Sequence, residues 1–255
     1  MPDLVHTLLI VCPLLFLAGF ADSIAGGGGV ISVPAGLLAG IPIHTVYGTN
    51  KFAMSFGALT STTQYARSGN VDWRAALYAA VGALVGANLG ARLALLLNEK
   101  YLSYCLMLLL PAVALFLAFN RGFGQEPKLL NHSKVQEAFL AIFIGVVVGA
   151  YDGFFGPGAG TFYIILFCTI LGSDLLHANG NAKVVNMASN IGALIAYILN
   201  GKVWFAVGIP MALCTISGNF LGSRLAIKNG ARFIRPVMAL MIVLLLIKIV
   251  SDLFL

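Results

Sequence analysis

The sequence predicts an all-α polytopic membrane protein of two homologous repeats, each of four helical segments with a glycine-broken or re-entrant first helix. Three observations predict it. The 255 residues are 60% hydrophobic and 9% charged, with mean hydropathy +0.95, whereas a soluble domain carries roughly 25% charged residues. Uncharged apolar runs recur at 75–91, 101–120, 184–201 and 203–223, each close to the ~20 residues that cross a bilayer as a helix. Finally, the second half restates the first: Asp152 follows Asp22 by 130 positions, Lys183 follows Lys51 by 132, and the 86–94 segment reappears as 218–226.

The duplication divides the chain into a first membrane repeat at 1–120, a polar connector at 121–134 and a second membrane repeat at 135–255. A leading apolar helix at 4–20 runs into Asp22-Ser23-Ile24-Ala25-Gly26-Gly27-Gly28-Gly29. Four consecutive glycines break a helix, each costing about 1 kcal/mol relative to Ala in its interior. A short apolar piece at 30–39 follows, closed by Gly40 and Pro42, and helices at 44–66, 75–97 and 101–119 complete the half. The pattern then restarts with a helix at 135–151, a break at 152–158 and a short piece at 160–171. Helices at 175–199, 203–227 and 231–254 finish the chain.

Ten residues at about 1.5 Å each reach only half-way through the hydrocarbon core. If the short pieces are re-entrant, each half crosses an odd number of times and the repeats are inverted, with the breaks facing each other near the midplane. If they complete broken spanning helices, there are eight crossings and parallel repeats. Charge does not separate the two, since the eight-crossing arrangement puts eight Lys and Arg on one side and six on the other. Fold-level precedent favours inverted repeats.

Broken backbone at membrane depth is tolerated where it is buried in protein or lines a cavity, and matching breaks in duplicated halves point to a transporter's binding site. A half-helix that starts after a glycine break presents unpaired N–H groups and the positive end of its dipole, both suited to an oxyanion. Gly26, Gly27, Gly28 and Gly29 in the first half, and Gly156 and Gly158 in the second, are the backbone candidates. Lys51 and Lys183 stand inside apolar helices, where a charge is costly and marks function, although lysine can also snorkel to the interface. With Asn50, Asn181 and Asn186 as hydrogen-bond donors they complete the candidate substrate site. Asp22 and Asp152 head the breaks. They fit capping of the glycine turn as well as proton or cation coupling, and pairing with Lys51 or Lys183 would relieve their repulsion of an anion.

Gly82, Gly86 and Gly90 are four apart, as are Gly218 and Gly222, a spacing that lets helices touch closely in lipid. Arg92 and Arg224 end those helices and read as interfacial anchors. The cysteines and histidines have no metal-ligand spacing, so no metal and no cofactor is expected. The net charge of +6 sits in short connections, which points to orientation in the membrane rather than to nucleic acid. The start of the chain has Asp3 and no Lys or Arg, a poor signal-peptide n-region. No enzyme motif is present.

The run Gly19-Phe20-Ala21-Asp22-Ser23-Ile24-Ala25-Gly26-Gly27-Gly28-Gly29, followed by Pro34 and by Gly48-Thr49-Asn50-Lys51, resembles the sulfite exporter TauE/SafE family of membrane permeases. The 86–94 signature and its second copy fit as well, and the resemblance covers nearly the whole chain. The second break departs from the first, with Gly156-Pro157-Gly158 for the glycine run. The resemblance implies a permease of the cell (inner) membrane for small sulfur-containing anions such as sulfite, sulfonates or sulfoacetate. The expected partners are that anion, a coupling proton or sodium ion, the bilayer, and a second copy of the chain in a homodimer. Rival readings are a permease of the same build for another small anion or a metal cation, an integral-membrane enzyme, and a scaffold subunit.

Overall fold

The computed structural model describes residues 3–98, 100–101 and 133–254. The expected helix at 101–119 and most of the connector lie outside the described residues. The first half contributes α1 (Leu4–Ala25), α2 (Gly29–Leu38), α3 (Ile43–Arg67) and α4 (Trp73–Leu96). The second contributes α5 (Lys134–Phe154), α6 (Ala159–Thr169), α7 (Leu175–Leu199), α8 (Phe205–Asn229) and α9 (Ala231–Phe254). Among the described residues α1, α4, α5, α7 and α8 are long and apolar enough to cross a membrane, and α2 and α6 are short apolar helices.

The breaks are narrower than the sequence suggests. Helix α1 continues through Asp22 to Ala25, and α5 continues through Asp152 to Phe154, so both acids lie within a last helical turn rather than at the head of a loop. The Asp22 carbonyl accepts the Gly26 N–H at 2.7 Å, which keeps the helix closed past the acid. Gly26 ends it at φ +74°. A Cβ there would land on the Gly160 carbonyl carbon of the other half. In the second break Gly156 and Gly158 hold φ +92° and +83°.

Glycine backbones set the packing. Gly82, Gly86 and Gly90 of α4 abut the carbonyls of Ile142, Val146 and Ala150 of α5, while Gly145 and Gly153 of α5 abut those of Ala79 and Ala87. The contacts advance together, so α4 and α5 are parallel. The same reading makes α1 parallel to α8, where Phe16 meets Gly218 and Phe20 meets Gly222. It makes α3 parallel to α8, where Phe52 meets Gly208 and Gly57 meets Thr215, and α4 parallel to α7, where Asn70 just before α4 meets Gly180 and Leu84 meets Gly192. Helices α3 and α7 are antiparallel: the Tyr47 and Tyr197 rings stack at 6.5 Å, and the Asn179 amide donates to the Tyr65 hydroxyl at 2.8 Å. Thus α1, α3 and α8 run one way, and α4, α5 and α7 the other.

The first helix of each half packs on the fourth helix of the other. Leu77, Val81, Leu89 and Leu93 of α4, Phe139, Phe143 and Val147 of α5, and Leu213 and Leu221 of α8 are exposed and form an apolar outer wall. Polar side chains are turned inward instead, on α3 and α7 above all, where Asn50, Lys51, Asn181, Lys183, Asn186, Ser189 and Asn190 are all buried.

Candidate functional site

The two breaks touch at the centre of the bundle, with Gly26 against Gly160 and Gly29 against Pro157. The last turn of α1 has its carbonyls satisfied from elsewhere in the fold. Lys183 Nζ donates to the Asp22 carbonyl, the Tyr65 hydroxyl to that of Ser23 at 3.1 Å, the Asn179 amide to that of Ile24 at 2.7 Å, and Thr161 Oγ1 to that of Ala25 at 2.7 Å. A helix end deep in the bundle needs such partners, since its terminal carbonyls have none within the helix.

The lysines and acids pair across the halves. Lys51 Nζ lies 2.8 Å from Asp152 Oδ1, with both side chains about 4% exposed. Asp152 Oδ2 accepts the Ser189 hydroxyl. In the converse pair Lys183 Nζ lies 3.6 Å from Asp22 Oδ2, and Asp22 Oδ1 accepts the Gly28 N–H at 3.3 Å. Asp22 thus caps the glycine turn. Both lysines are interior, so neither snorkels.

A cavity of about 20 Å³ lies between the breaks, lined by Asp22, Gly26, Gly29, Asn50, Lys51, Asp152, Gly156 and Asn186 of the expected residues. That is room for about one water molecule. Gly160, at the start of the second short piece, also lines it, as do Tyr47 and Asn190, which the sequence did not single out. Asn190 stands one turn after Asn186, so spacing could have found it. Gly29 and Gly160, each in the first turn of a half-helix, have N–H groups with no hydrogen bond among the described residues. Asn50 Oδ1 is buried without a hydrogen-bond partner. Donors and an ammonium therefore converge from both halves on one small polar cavity.

The remaining expected residues do not line it. Gly27 faces the Met241 side chain, and Gly28 lies against Asp22 and Met54. Gly158 is the left-handed cap of α6. Lys183 is turned to the end of α1. Asn181 Oδ1 accepts the Asp72 N–H at 2.7 Å, which ties α7 to the start of α4, while its Nδ2 is buried with no hydrogen-bond partner among the described residues.

A family model described as Sulfite exporter TauE/SafE matches residues 11–249. A probable membrane transporter protein (ORF9) of Sinorhizobium sp is 38% identical over 97% of this chain and 94% of its own length. The probable membrane transporter protein YfcA of Escherichia coli K12 is 34% identical with the same coverage. YdhB of Bacillus subtilis, also named a probable membrane transporter protein, is 26% identical over 91% of this chain and 96% of its own length. No solved structure matches the chain significantly.

Proposed function

The chain belongs to the sulfite exporter TauE/SafE family of membrane transporters, and we propose that it is a secondary permease of the inner (cell) membrane for small sulfur-containing anions such as sulfite, sulfonates or sulfoacetate. The anion is bound between the two glycine breaks, and the two halves act as inverted repeats that alternate access to it. The observation that carries this reading is that Gly29 and Gly160, whose N–H groups have no hydrogen bond among the described residues, line one cavity with Lys51. Helix starts favour negative charge. The helix directions support the inverted arrangement, because α1, α3 and α4 run opposite to their counterparts α5, α7 and α8.

A cavity for one water molecule does not admit sulfite, so loading requires the breaks to separate. Their contact is backbone on backbone at Gly26 and Gly160, and the side-chain bond across it that must be released is that of Thr161 Oγ1 to the Ala25 carbonyl. The anion also meets the Asp152 carboxylate that now occupies Lys51. Protonation of Asp152 removes that competitor and frees the ammonium for the substrate, so one proton accompanies one anion. Ser189 holds the other carboxyl oxygen and keeps the acid in place during the exchange. The proteins's part is binding, orientation and proton transfer, without chemistry on the substrate.

The test is flux of labelled sulfite and sulfoacetate into liposomes holding the purified chain. Uptake should accelerate under an imposed proton gradient. Asp152→Asn should keep exchange but lose the acceleration, and Lys51→Ala should lose both. Flux equal to that of protein-free liposomes for every sulfur anion, with carboxylate flux intact, would sink the sulfur assignment.

A further inference from the structure

At the far end of the bundle, α3 and α8 form an open groove of about 390 Å³ lined by Gln64, Arg67, Ser68, Phe220, Arg224, Ile227 and Lys228. Arg67, Arg224 and Lys228 are all exposed, no acid lines the groove, and none of the three is ion-paired among the described residues. The groove is held in shape: Gln64 Nε2 donates to the Phe220 carbonyl at 3.0 Å, and the Arg224 guanidinium lies 4.1 Å from the centre of the Phe220 ring. Arg224 therefore stacks on an aromatic face instead of bonding last-turn carbonyls. Its N–H groups stay available.

We propose that this groove binds the phosphate headgroup of an anionic phospholipid, with the acyl chains running down the outer faces of α3 and α8. Depth supports it. The midpoint of the antiparallel α3–α7 pair falls near Phe56 and Ala188, and Arg67 lies eleven residues beyond it. That is about 16 Å at 1.5 Å per residue, the edge of a hydrocarbon core roughly 30 Å thick. Phe56, two turns below Gln64, and Leu213, two turns below Phe220, are 41% and 63% exposed and offer an apolar track beneath the charges.

The duplicated counterpart of this groove supplies a built-in control. At the opposite end of the bundle Arg92, Leu95, Leu96 and Asn200 line a groove of about 360 Å³. They stand 132 positions before Arg224, Ile227 and Lys228, and after Ser68. The shape recurs, but Leu96 and Leu199 stand where the first groove has Lys228 and Arg67. Packing does not require three cations, since the counterpart does without two of them. The two ends differ in the same sense: among the described residues Arg67, Arg74, Lys134, Arg224, Lys228, Arg232 and Arg235 are at the basic end, against Arg92, Lys100, Lys202 and Lys248 at the other. The positive-inside rule makes the basic end cytoplasmic, and the cytoplasmic leaflet is the anionic one. This inference does not depend on what the chain transports.

The test is native mass spectrometry and thermal unfolding of the detergent-solubilised full chain with phosphatidylglycerol, phosphatidylcholine or inorganic phosphate added. Phosphatidylglycerol should be retained and should raise the unfolding midpoint. Phosphatidylcholine and inorganic phosphate should do neither. Arg67→Leu with Lys228→Leu copies the counterpart groove and should weaken phosphatidylglycerol binding by on the order of 20-fold, about fivefold per charge removed. Arg92→Gln should leave it unchanged. Equal retention of the two lipids, a shift by free phosphate alone, or undiminished binding in the double variant would each overturn the proposal. If that variant does not fold, Arg224→Gln alone carries the test, with a loss of about fivefold expected and no loss overturning it.

Discussion

Lys51 and Lys183 hold corresponding places in the two halves, and both are buried, yet their ammonium groups are used differently. Lys51 sits squarely on the Asp152 carboxylate beside the cavity. Lys183 lies farther from the Asp22 carboxylate and bonds the Asp22 backbone instead. A single pair of corresponding residues accounts for much of this. Ser189 steadies Asp152, whereas Gly57 fills the corresponding place in α3, where a Cβ would meet the Asn219 amide. With no hydroxyl to hold it, Asp22 takes the Gly28 N–H. The two halves share the charges but not their surroundings. One pair lines the cavity, and the lysine of the other holds the end of α1.

The largest effect that can break this comparison comes from removing one charge of the cavity pair. Lys51→Met leaves the Asp152 carboxylate buried and unpaired, at a cost of about 3–5 kcal/mol in unfolding free energy. Adding Asp152→Asn should recover most of it in detergent-based unfolding, and a double variant no more stable than the single one would show that the pair is not what the fold depends on. Asp22→Asn should cost less, about 1.5–3 kcal/mol, because Lys183 keeps its bond to the carbonyl.

The breaks themselves should differ next. Gly26→Ala meets both a left-handed backbone and the Gly160 backbone and should cost about 3 kcal/mol or more and abolish transport. At Gly156 the nearest atom to an added Cβ is 3.5 Å away, so Gly156→Ala should cost only the about 1–2 kcal/mol of its positive φ. Similar losses at the two positions would mean that the contact at Gly26 is soft. Ser189→Ala should then cost about 1.5–3 kcal/mol, as expected for a bond to a charged group, and should make Asp152 behave more like Asp22, with proton-driven flux reduced more than exchange.

The smallest effect lies at the helix starts. Asp174 caps α7 by accepting the Leu176 and His177 N–H groups, whereas Pro42 caps α3 with no side chain. Burial pulls the Asp174 carboxyl up, but the bonds from the His177 backbone and ring and from Leu176 outweigh it and hold it below the usual carboxylate value. A lowered native pKa stabilises the fold above the ordinary carboxylate range, and that contribution is lost as pH falls through the lowered value. Asp174→Ala should cost about 1 kcal/mol near neutrality and little in acid, measured as unfolding midpoint against pH.

The helix pattern, the two breaks and the repeated acid and lysine were legible in the sequence because each is a local departure from apolar composition. The glycine spacing also announced where helices touch, and the α4–α5 and α1–α8 contacts are of that kind. The partner of each lysine was not legible, since the ion pairs join residues far apart in the chain. Asn181 shared the Asn-Lys pattern of a ligand, but α7 turns it to the Asp72 N–H. Charge did not separate the two topologies for a related reason: only the packing shows Lys51 and Lys183 to be interior and Arg67 to share an end of the bundle with Arg224 and Lys228.

The crossed pairs also bear on how the chain is made. Asp22 precedes Lys183 by 161 residues, which at 5–20 residues per second is an interval of roughly 8–30 s of synthesis. Lys51 waits 101 residues for Asp152, so for most of that time the nascent first half holds two buried-to-be charges whose counter-ions do not yet exist. An intramembrane charge without its partner is costly, which works against the first half settling into lipid alone. The two halves mature as one event, late, when α5 and α7 arrive, and a chain cut in the connector should accumulate only when both pieces are supplied together.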